Sequence, residues 1–252
     1  MQTESGRPDP RRIMERLLDA SGERFDGLRI DGRRVAPSEI IDALRPALSD
    51  ERSERIETVL RGRTYAVATV VEGLANTGNV SAVMRTAEGL GFQSFHVVAG
   101  DAKPKHSRRT TQGAHKWLDV RHWDAPGACC DRLRSLGYRI IAARIADDAV
   151  PVSEVDFTIP SAVVFGNELN GLSDEMIDAA DVSCMLPTPG FIQSFNISVA
   201  AAMTLYAAFR QRTQKLGSNG DLSEDEIMRL RADFYMRAAT NARAFLRRAF
   251  AG

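Results

Sequence analysis

The sequence predicts an α/β domain built on a mostly parallel sheet. From Tyr65 onward, short runs of β-branched and aliphatic residues alternate with helical patterns, which is the order expected when helices connect parallel strands. The clearest helical patterns cover residues 80–90 and 128–136, and Gly137 closes the second. The predicted strands cover residues 65–71, 95–99, 138–142, 162–165 and 182–186.

Helical patterns flank the predicted sheet on both sides. A helix at 12–19 and two further short helices precede it, with a turn-rich segment at 26–37 that holds two Asp-Gly pairs. A long Ala-rich helix at 197–212 follows it, and a charged helical tail is predicted at 223–250. The expected division is a helical extension over 1–62, the α/β domain over 63–214 and a helical tail over 215–252.

Composition narrows the class of protein. With 252 residues and 44% hydrophobic content, the chain is long enough for one full core. No stretch approaches the roughly 18 continuous apolar residues of a membrane span, so we expect a soluble, cytoplasmic protein. Cys129, Cys130 and Cys184 lack C-x-x-C spacing and lack metal-ligand spacing with the four histidines. Neither a disulfide framework nor a bound metal is therefore expected.

The charges cancel in number but are unevenly distributed. The 33 basic and 33 acidic residues give no net charge, which by itself argues against a strongly electrostatic nucleic-acid binder. One stretch between residues 103 and 121 is nevertheless basic and can contact phosphates, although a solvated basic loop is the simpler explanation of the stretch taken alone. A second basic run lies near the C-terminus. The two sets are Lys103, Lys105, Arg108, Arg109, Lys116 and Arg121, and Arg237, Arg243, Arg247 and Arg248.

The segment at residues 76–90 is the first of three with polar residues at the start of a helix. Asn79 is placed to cap that helix, which is its ordinary structural role. Arg85 lies about 140° around the helix from the apolar stripe that starts at Val80, so it points away from the buried face. A surface pair with Glu88 is the simplest explanation of Arg85 taken alone.

Two later segments each follow a predicted strand and precede a helix. Residues 165–171 form a glycine-flanked loop of the kind that binds ligands at the carboxyl ends of parallel strands, although an ordinary strand-to-helix turn is the alternative. Residues 186–198 carry Ser194 and Asn196 just before a helix, where capping is the ordinary explanation. A serine hydrolase is disfavoured because the chain has no G-x-S-x-G elbow.

Taken in this order and spacing, the three segments resemble the motifs of the SpoU/TrmH family in the SPOUT superfamily. Asn79 and Arg85, followed by Thr86 and Ala87, resemble the first motif. Gly166-x-Glu168-x-x-Gly171 is similar to the second, and residues 186–200 are similar to the third, with Phe195 where leucine is usual. The resemblance implies a deep trefoil knot, a homodimer with an active site drawing on both subunits, and S-adenosylmethionine as the cofactor.

The same resemblance implies the reaction and its residues. Among family members the chain is most similar to those that methylate the ribose 2′-hydroxyl of the D-loop guanosine, position 18, of tRNA. A ribosomal-RNA enzyme of the family and a non-catalytic RNA-binding paralogue are the alternatives. Arg85 would act as a base or stabilise the alkoxide. The implied sites are catalytic Arg85, Asn79, Glu168, Ser194 and Asn196, cofactor-binding Ala143, Gly166, Leu186 and Phe195, and RNA-binding Lys103, Lys105, Arg108, Arg109 and Lys116.

Overall fold

A computed structural model describes residues 29–30, 33–74, 76–99 and 114–250. They belong to two compact units. The first unit contains Thr64–Asn219, and the second combines the residues up to Arg63 with those from Gly220 onward. The helix predicted at 12–19 lies outside the described residues, as does most of the basic stretch that begins at Lys103.

The first unit is built on a seven-stranded sheet in which every strand pair is parallel. The strands are β1 Arg29–Ile30, β2 Arg33–Arg34, β3 Thr64–Glu72, β4 Phe92–Val98, β5 Asp119–Trp123, β6 Arg139–Ala143, β7 Val150–Pro151, β8 Ser161–Phe165 and β9 Val182–Met185. The strand order in the sheet is β5-β4-β3-β8-β6-β9-β7, and a separate antiparallel pair, β1-β2, belongs to the second unit. The predicted mostly parallel sheet is therefore confirmed.

The helices surround the sheet in the first unit and dominate the second. Among the described residues they are α1 Pro37–Leu44, α2 Asp50–Leu60, α3 Thr77–Gly89, α4 Pro126–Ser135, α5 Asp174–Asp178, α6 Ile197–Leu216, α7 Glu224–Ala238 and α8 Ala242–Phe250. Short 3-10 helices cover Arg45–Ala47, Ala114–Lys116 and Val152–Glu154. None of the helices in this part of the chain is both long and apolar enough to cross a membrane.

The core lies on the two central strands. All nine residues of β3 and all five of β8 are buried, because each strand has a neighbour on both sides and helices over its faces. The continuous hydrophobic runs that predicted these strands are the direct consequence of that burial. Helices α3 and α6 pack against each other and contribute Val83, Met84, Ala201, Leu205 and Ala208 to the core.

The ends of the helices agree with the predicted break points in the first unit. Gly217 adopts a left-handed conformation with a φ of 80° directly after α6, so the pattern break predicted at 217–220 is confirmed. The predicted cap at Asn79 is wrong, because α3 begins at Thr77, two residues before Asn79. The N-cap is Asn76, whose side-chain oxygen accepts a hydrogen bond from Gly78 N at 2.8 Å.

The second unit differs from its prediction in two respects. The tail predicted as one helix over 223–250 consists of α7 and α8, which are separated at Asn241, where φ is 57°. The extension also contains the β1-β2 pair, which lies within the segment predicted as turn-rich. Within the unit, Arg231 donates to both carboxylate oxygens of Glu57 at 2.6 and 2.7 Å, which ties α7 to α2.

Candidate active site

A cleft of about 520 Å³ opens at the carboxyl edge of the sheet. Strands β6, β8 and β9 are neighbours in the parallel sheet, so the loops that follow them meet at one edge. The four positions expected to bind a cofactor, Ala143, Gly166, Leu186 and Phe195, all line this cleft. The volume is within the range of small-molecule sites.

Three of the predicted catalytic residues line the same cleft. They are Glu168 in the loop after β8, and Ser194 and Asn196 in the loop before α6. The cleft also contains polar residues that the sequence did not single out, notably Asn167, Asn170 and Thr188. All three lie within the segments 165–171 and 186–198, so the sequence predicted the part of the site to which they belong but not their individual roles.

The two glycines of the loop after β8 are required by the loop itself. A methyl group on Gly166 would lie 2.6 Å from Leu172 N and closer still to the carbonyl of Gly171, because the loop folds back on its own start. Gly171 has a φ of 71°, a conformation that favours glycine. Backbone hydrogen bonds join Asn167 and Gly171 in both directions, at 2.8 and 2.9 Å. The G-x-E-x-x-G spacing therefore encodes a closed loop.

Asn79 reaches the cleft by way of Glu168. Its side-chain amide donates a hydrogen bond to Glu168 Oε1, which joins the first helical turn of α3 to the loop after β8. The two residues are 89 positions apart in the chain. The structure thus brings together the polar residues of the first and second motifs. The side chain of Glu168 is exposed, and its other carboxylate oxygen takes no part in the bond with Asn79.

Asn196 is the N-cap of α6. Its side-chain oxygen accepts hydrogen bonds from Ser198 N at 2.9 Å and from Ser198 Oγ at 2.6 Å. The capping role predicted for Asn196 or Ser194 is therefore confirmed for Asn196. Because Asn196 also lines the cleft, the cap and the cleft wall are made by the same side chain.

Arg85 is not among the residues that line the cleft. It is exposed, as its position on the helix predicted, and it borders a separate shallow depression of about 500 Å³ between α3 and α6. The rest of that depression is almost entirely apolar. It is lined by Thr86, Gly89, Leu90, Ala202, Met203 and Tyr206.

The residues expected to bind RNA lie largely outside the described part of the chain. Lys103, Lys105, Arg108 and Arg109 fall there, whereas Lys116 is described and exposed. The ammonium group of Lys116 lies 5.2 Å from the centre of the Trp117 ring, a cation–π arrangement. Arg121 lies in β5, where burial lowers the pKa of its guanidinium.

The ionisable groups of the cleft are few. Cys184 is buried, and burial raises the pKa of its thiol to about 11. No group of three or more His, Cys, Asp or Glu residues that would hold a metal ion occurs in the described ranges. The cleft therefore offers backbone groups, hydroxyls, amides, the carboxylate of Glu168 and the guanidinium of Arg144, which is paired with Asp148.

Comparison with known proteins identifies this arrangement. The model of the SpoU rRNA Methylase family matches residues 66–206, which includes all three motifs and the whole seven-stranded sheet except the first two residues of β3. A tRNA (guanosine(18)-2′-O)-methyltransferase of Aquifex aeolicus is 34% identical over 183 residues, covering 72% of this chain and 87% of that protein. The protein of the same name from Escherichia coli K12 is 32% identical and covers 73% and 81%.

Solved structures agree with the sequence comparison. The A. aeolicus TrmH/SpoU tRNA modifying enzyme superimposes with a TM-score of 0.68 at 32% identity, over 76% of this chain and 98% of that one. The SpoU methyltransferase AviRb of Streptomyces viridochromogenes, solved in complex with AdoMet, gives 0.53 at 27% identity, over 58% and 60%. The fold, the cleft and these matches define an RNA methyltransferase. The chain belongs to the SpoU rRNA methylase family.

Proposed function

We propose that this chain transfers the methyl group of S-adenosylmethionine to the ribose 2′-hydroxyl of guanosine 18 in tRNA. The observation that carries the proposal is the convergence of Ala143, Gly166, Leu186 and Phe195 on one cleft with Glu168 at its rim. Relatives named for this reaction support the choice of substrate, since the first of them are 32–35% identical and the chain spans 81–92% of their length.

The cleft suits an adenosyl cofactor. Its wall combines apolar side chains, such as Leu186 and Phe195, with the backbone of Gly166 and with the amides of Asn167 and Asn170. Adenine sites in proteins have this composition, because the flat base packs on apolar groups while its polar edge bonds to backbone. When bound, the cofactor supplies a methyl group on a sulfonium. Binding of S-adenosylmethionine without added metal, measured by calorimetry, tests this part directly.

The proposed division of labour follows from the geometry of the polar residues. A ribose hydroxyl is a weak nucleophile, so methyl transfer needs the hydroxyl aligned with the methyl group and its developing charge stabilised. Glu168, held by Asn79, would orient the ribose, and Ser194 and Asn196 would hold the substrate beside it. Arg85 would either stabilise the alkoxide or remove the proton. An unchanged shape of the pH–rate profile in Arg85→Lys supports stabilisation, and a displaced profile supports the base.

We further propose that the enzyme is a homodimer in which Arg85 of one copy serves the cleft of the other. Arg85 borders the apolar depression of its own chain and does not line its own cleft. Val199 and Tyr206 on α6 are 46% and 50% exposed, which is typical of apolar residues that a partner covers. Tyr206→Arg should convert the dimer to monomer in sedimentation. A wild-type protein that is monomeric at assay concentration contradicts the proposal.

The remaining expectations stand as parts of the same proposal. The resemblance supports a trefoil knot at the cofactor loops. The pattern along the sequence supports the division at residues 62 and 214, and the composition supports a cytoplasmic location. RNA contact is proposed for Lys103, Lys105, Arg108, Arg109 and Lys116. The substrate is tested by offering the purified protein tRNA transcripts with and without guanosine 18, together with ribosomal-RNA fragments. Methylation of the guanosine-18 transcript alone supports the proposal. Methylation of ribosomal RNA with tRNA inert overturns it.

A further inference from the structure

The loop after β8 is fastened at its far end to a buried carboxylate on the neighbouring strand. Glu72, the last residue of β3, is 5% exposed. Its two oxygens accept hydrogen bonds from Ser173, one from the backbone N at 3.1 Å and one from Oγ at 2.6 Å. Ser173 Oγ in turn accepts from Met176 N at 3.2 Å as the N-cap of α5. One carboxylate therefore fixes the point where the loop ends and α5 begins.

The near end of the same loop is fastened to the residue that follows Glu72. The amide nitrogen of Asn167 donates to the carbonyl of Gly73 at 2.7 Å. The amide oxygen of Asn167 accepts from the backbone N of Leu169 at 2.8 Å and of Asn170 at 3.1 Å. One side chain therefore both shapes the loop and anchors it to the end of β3.

Glu168 lies between these two anchors. Its side chain is exposed and accepts a hydrogen bond from Asn79 in the first turn of α3. An exposed carboxylate on a loop has many rotamers, and an error of about 1 Å in a reacting group can lower a rate about 100-fold. The position of Glu168 thus depends on how firmly the loop is held to the end of β3, from which α3 and Asn79 also continue.

We infer that Glu72 and Asn167 are positioning residues that hold the loop of Glu168 in register with α3. The inference rests on the proposed function, because it gives Glu168 a part in the reaction. Glu72 does not line the cleft, so it acts through Ser173 and the loop rather than on the substrate. Together the two residues make the first and second motifs one rigid assembly, in which Asn79 and Glu168 meet at a fixed place.

The chain offers a matched control for Glu72. Glu226 in α7 is also 5% exposed, and it also accepts hydrogen bonds from the backbone N and Oγ of a serine, Ser223, at 2.6 and 2.7 Å. Both Glu72→Ala and Glu226→Ala therefore remove a buried carboxylate that is bonded to a helix-capping serine, although Glu72 uses both of its oxygens for this and Glu226 uses only Oε2. We expect Glu72→Ala to lower kcat about 10- to 100-fold with KM for tRNA within about threefold, and Glu226→Ala to leave both within about twofold. Glu72→Gln, which keeps the shape and one acceptor, should recover most of the rate.

A double-mutant cycle separates positioning from general damage. If Glu72 acts through Glu168, the variant that combines Glu72→Ala with Glu168→Ala should be no slower than Glu168→Ala alone. Multiplying rate losses in the double variant, or equal losses in Glu72→Ala and Glu226→Ala, would overturn the inference. Because Asn167 also lines the cleft, its substitution would act on the cofactor directly, so the cycle is run with Glu72 alone.

Amide hydrogen exchange tests whether Glu72 holds the loop after β8, and it needs neither RNA nor turnover. In Glu72→Ala the amides of Leu169, Asn170 and Ser173 should exchange at least tenfold faster, while those of the β8 interior keep their wild-type rates. Unchanged exchange in the loop contradicts the inference even if the enzyme is active. If exchange is faster in Glu72→Ala but the wild-type protein does not methylate tRNA, the role of Glu72 in holding the loop is supported and the proposed function is overturned.

Discussion

The cleft at the ends of β6, β8 and β9 and the depression between α3 and α6 are organised in opposite ways. The cleft is held by hydrogen bonds within one chain, by a glycine that permits close backbone approach, and by the cap at Asn196. The depression is shallow and apolar, and its charged residue, Arg85, is exposed. Asn79 and Arg85 belong to the same motif, yet they serve different regions. Asn79 bonds to Glu168 of the enclosed cleft, whereas Arg85 borders the open depression.

This difference separates the binding of the cofactor from the chemistry of transfer. The cleft has the volume, the backbone groups and the fixed loop that a small-molecule site needs. Within the described part of its own chain Arg85 is exposed and lies outside the cleft, and in our proposal the partner encloses it in the dimer. Substitutions in the two regions should consequently fail in different measurements, which makes the comparison testable.

The largest effect is expected at Arg85. Arg85→Ala should lower methyl transfer about 100- to 1,000-fold, because an electrostatic contribution to the transition state is lost. Affinity for S-adenosylmethionine should stay within about twofold, since Arg85 does not line the cleft. Single-turnover assays and calorimetry check the two parts. Glu88→Ala is the control for a surface pair, and a similar loss in both variants would return Arg85 to a structural role.

A smaller effect is expected at Gly166, and in the other measurement. Gly166→Ala places a methyl group against the backbone of Gly171 and Leu172, so the loop must move. We expect affinity for S-adenosylmethionine to fall about 10- to 100-fold, by analogy with a site misplaced by about 1 Å. Gly190→Ala adds the same group where nothing lies within 4 Å, and should bind normally. Normal binding by Gly166→Ala would mean that the loop is softer than its hydrogen bonds indicate.

Complete burial explains why the two central strands could be predicted from the sequence. Central strands such as β3 and β8 are buried on both faces and therefore appear as continuous hydrophobic runs. Strand β5 was missed because it lies at the edge of the sheet, where its Asp119, Arg121 and His122 remain partly accessible. The tail was predicted as one helix because the break at Asn241 depends on a single left-handed residue rather than on glycine or proline.

The site was predictable as a set of residues and not as a geometry. Motif spacing identified Glu168 and Gly166, but the backbone pairing that makes Gly166 necessary joins Asn167 to Gly171 in three dimensions. The helix start at Asn76 was missed because Asn76 and Asn79 are both good caps, and only the backbone conformation distinguishes them. Arg85 was correctly predicted to be exposed, whereas its separation from the cleft required the structure.

Asn196 should show a modest effect that separates its two contacts. Asn196→Ala removes the cap of α6 and should cost about 1 kcal/mol of unfolding free energy, or about 2–4 °C in Tm for a domain of this size. Asn196→Ser keeps a capping oxygen and should keep the Tm. If Asn196→Ser also keeps the methylation rate, the residue serves only as a cap. A rate loss at normal Tm instead supports the proposed contact with the substrate.

The smallest expected effect is that of metal removal, because the described residues contain no group of three or more His, Cys, Asp or Glu that could hold a metal ion. Protein treated with EDTA and then freed of it by gel filtration should bind S-adenosylmethionine and methylate folded tRNA at the untreated rate. Binding of S-adenosylmethionine is measured separately in the presence of EDTA, because this step needs neither tRNA nor the Mg²⁺ that keeps tRNA folded. Activity that disappears on chelation and returns with one divalent ion would overturn the metal-free mechanism proposed here.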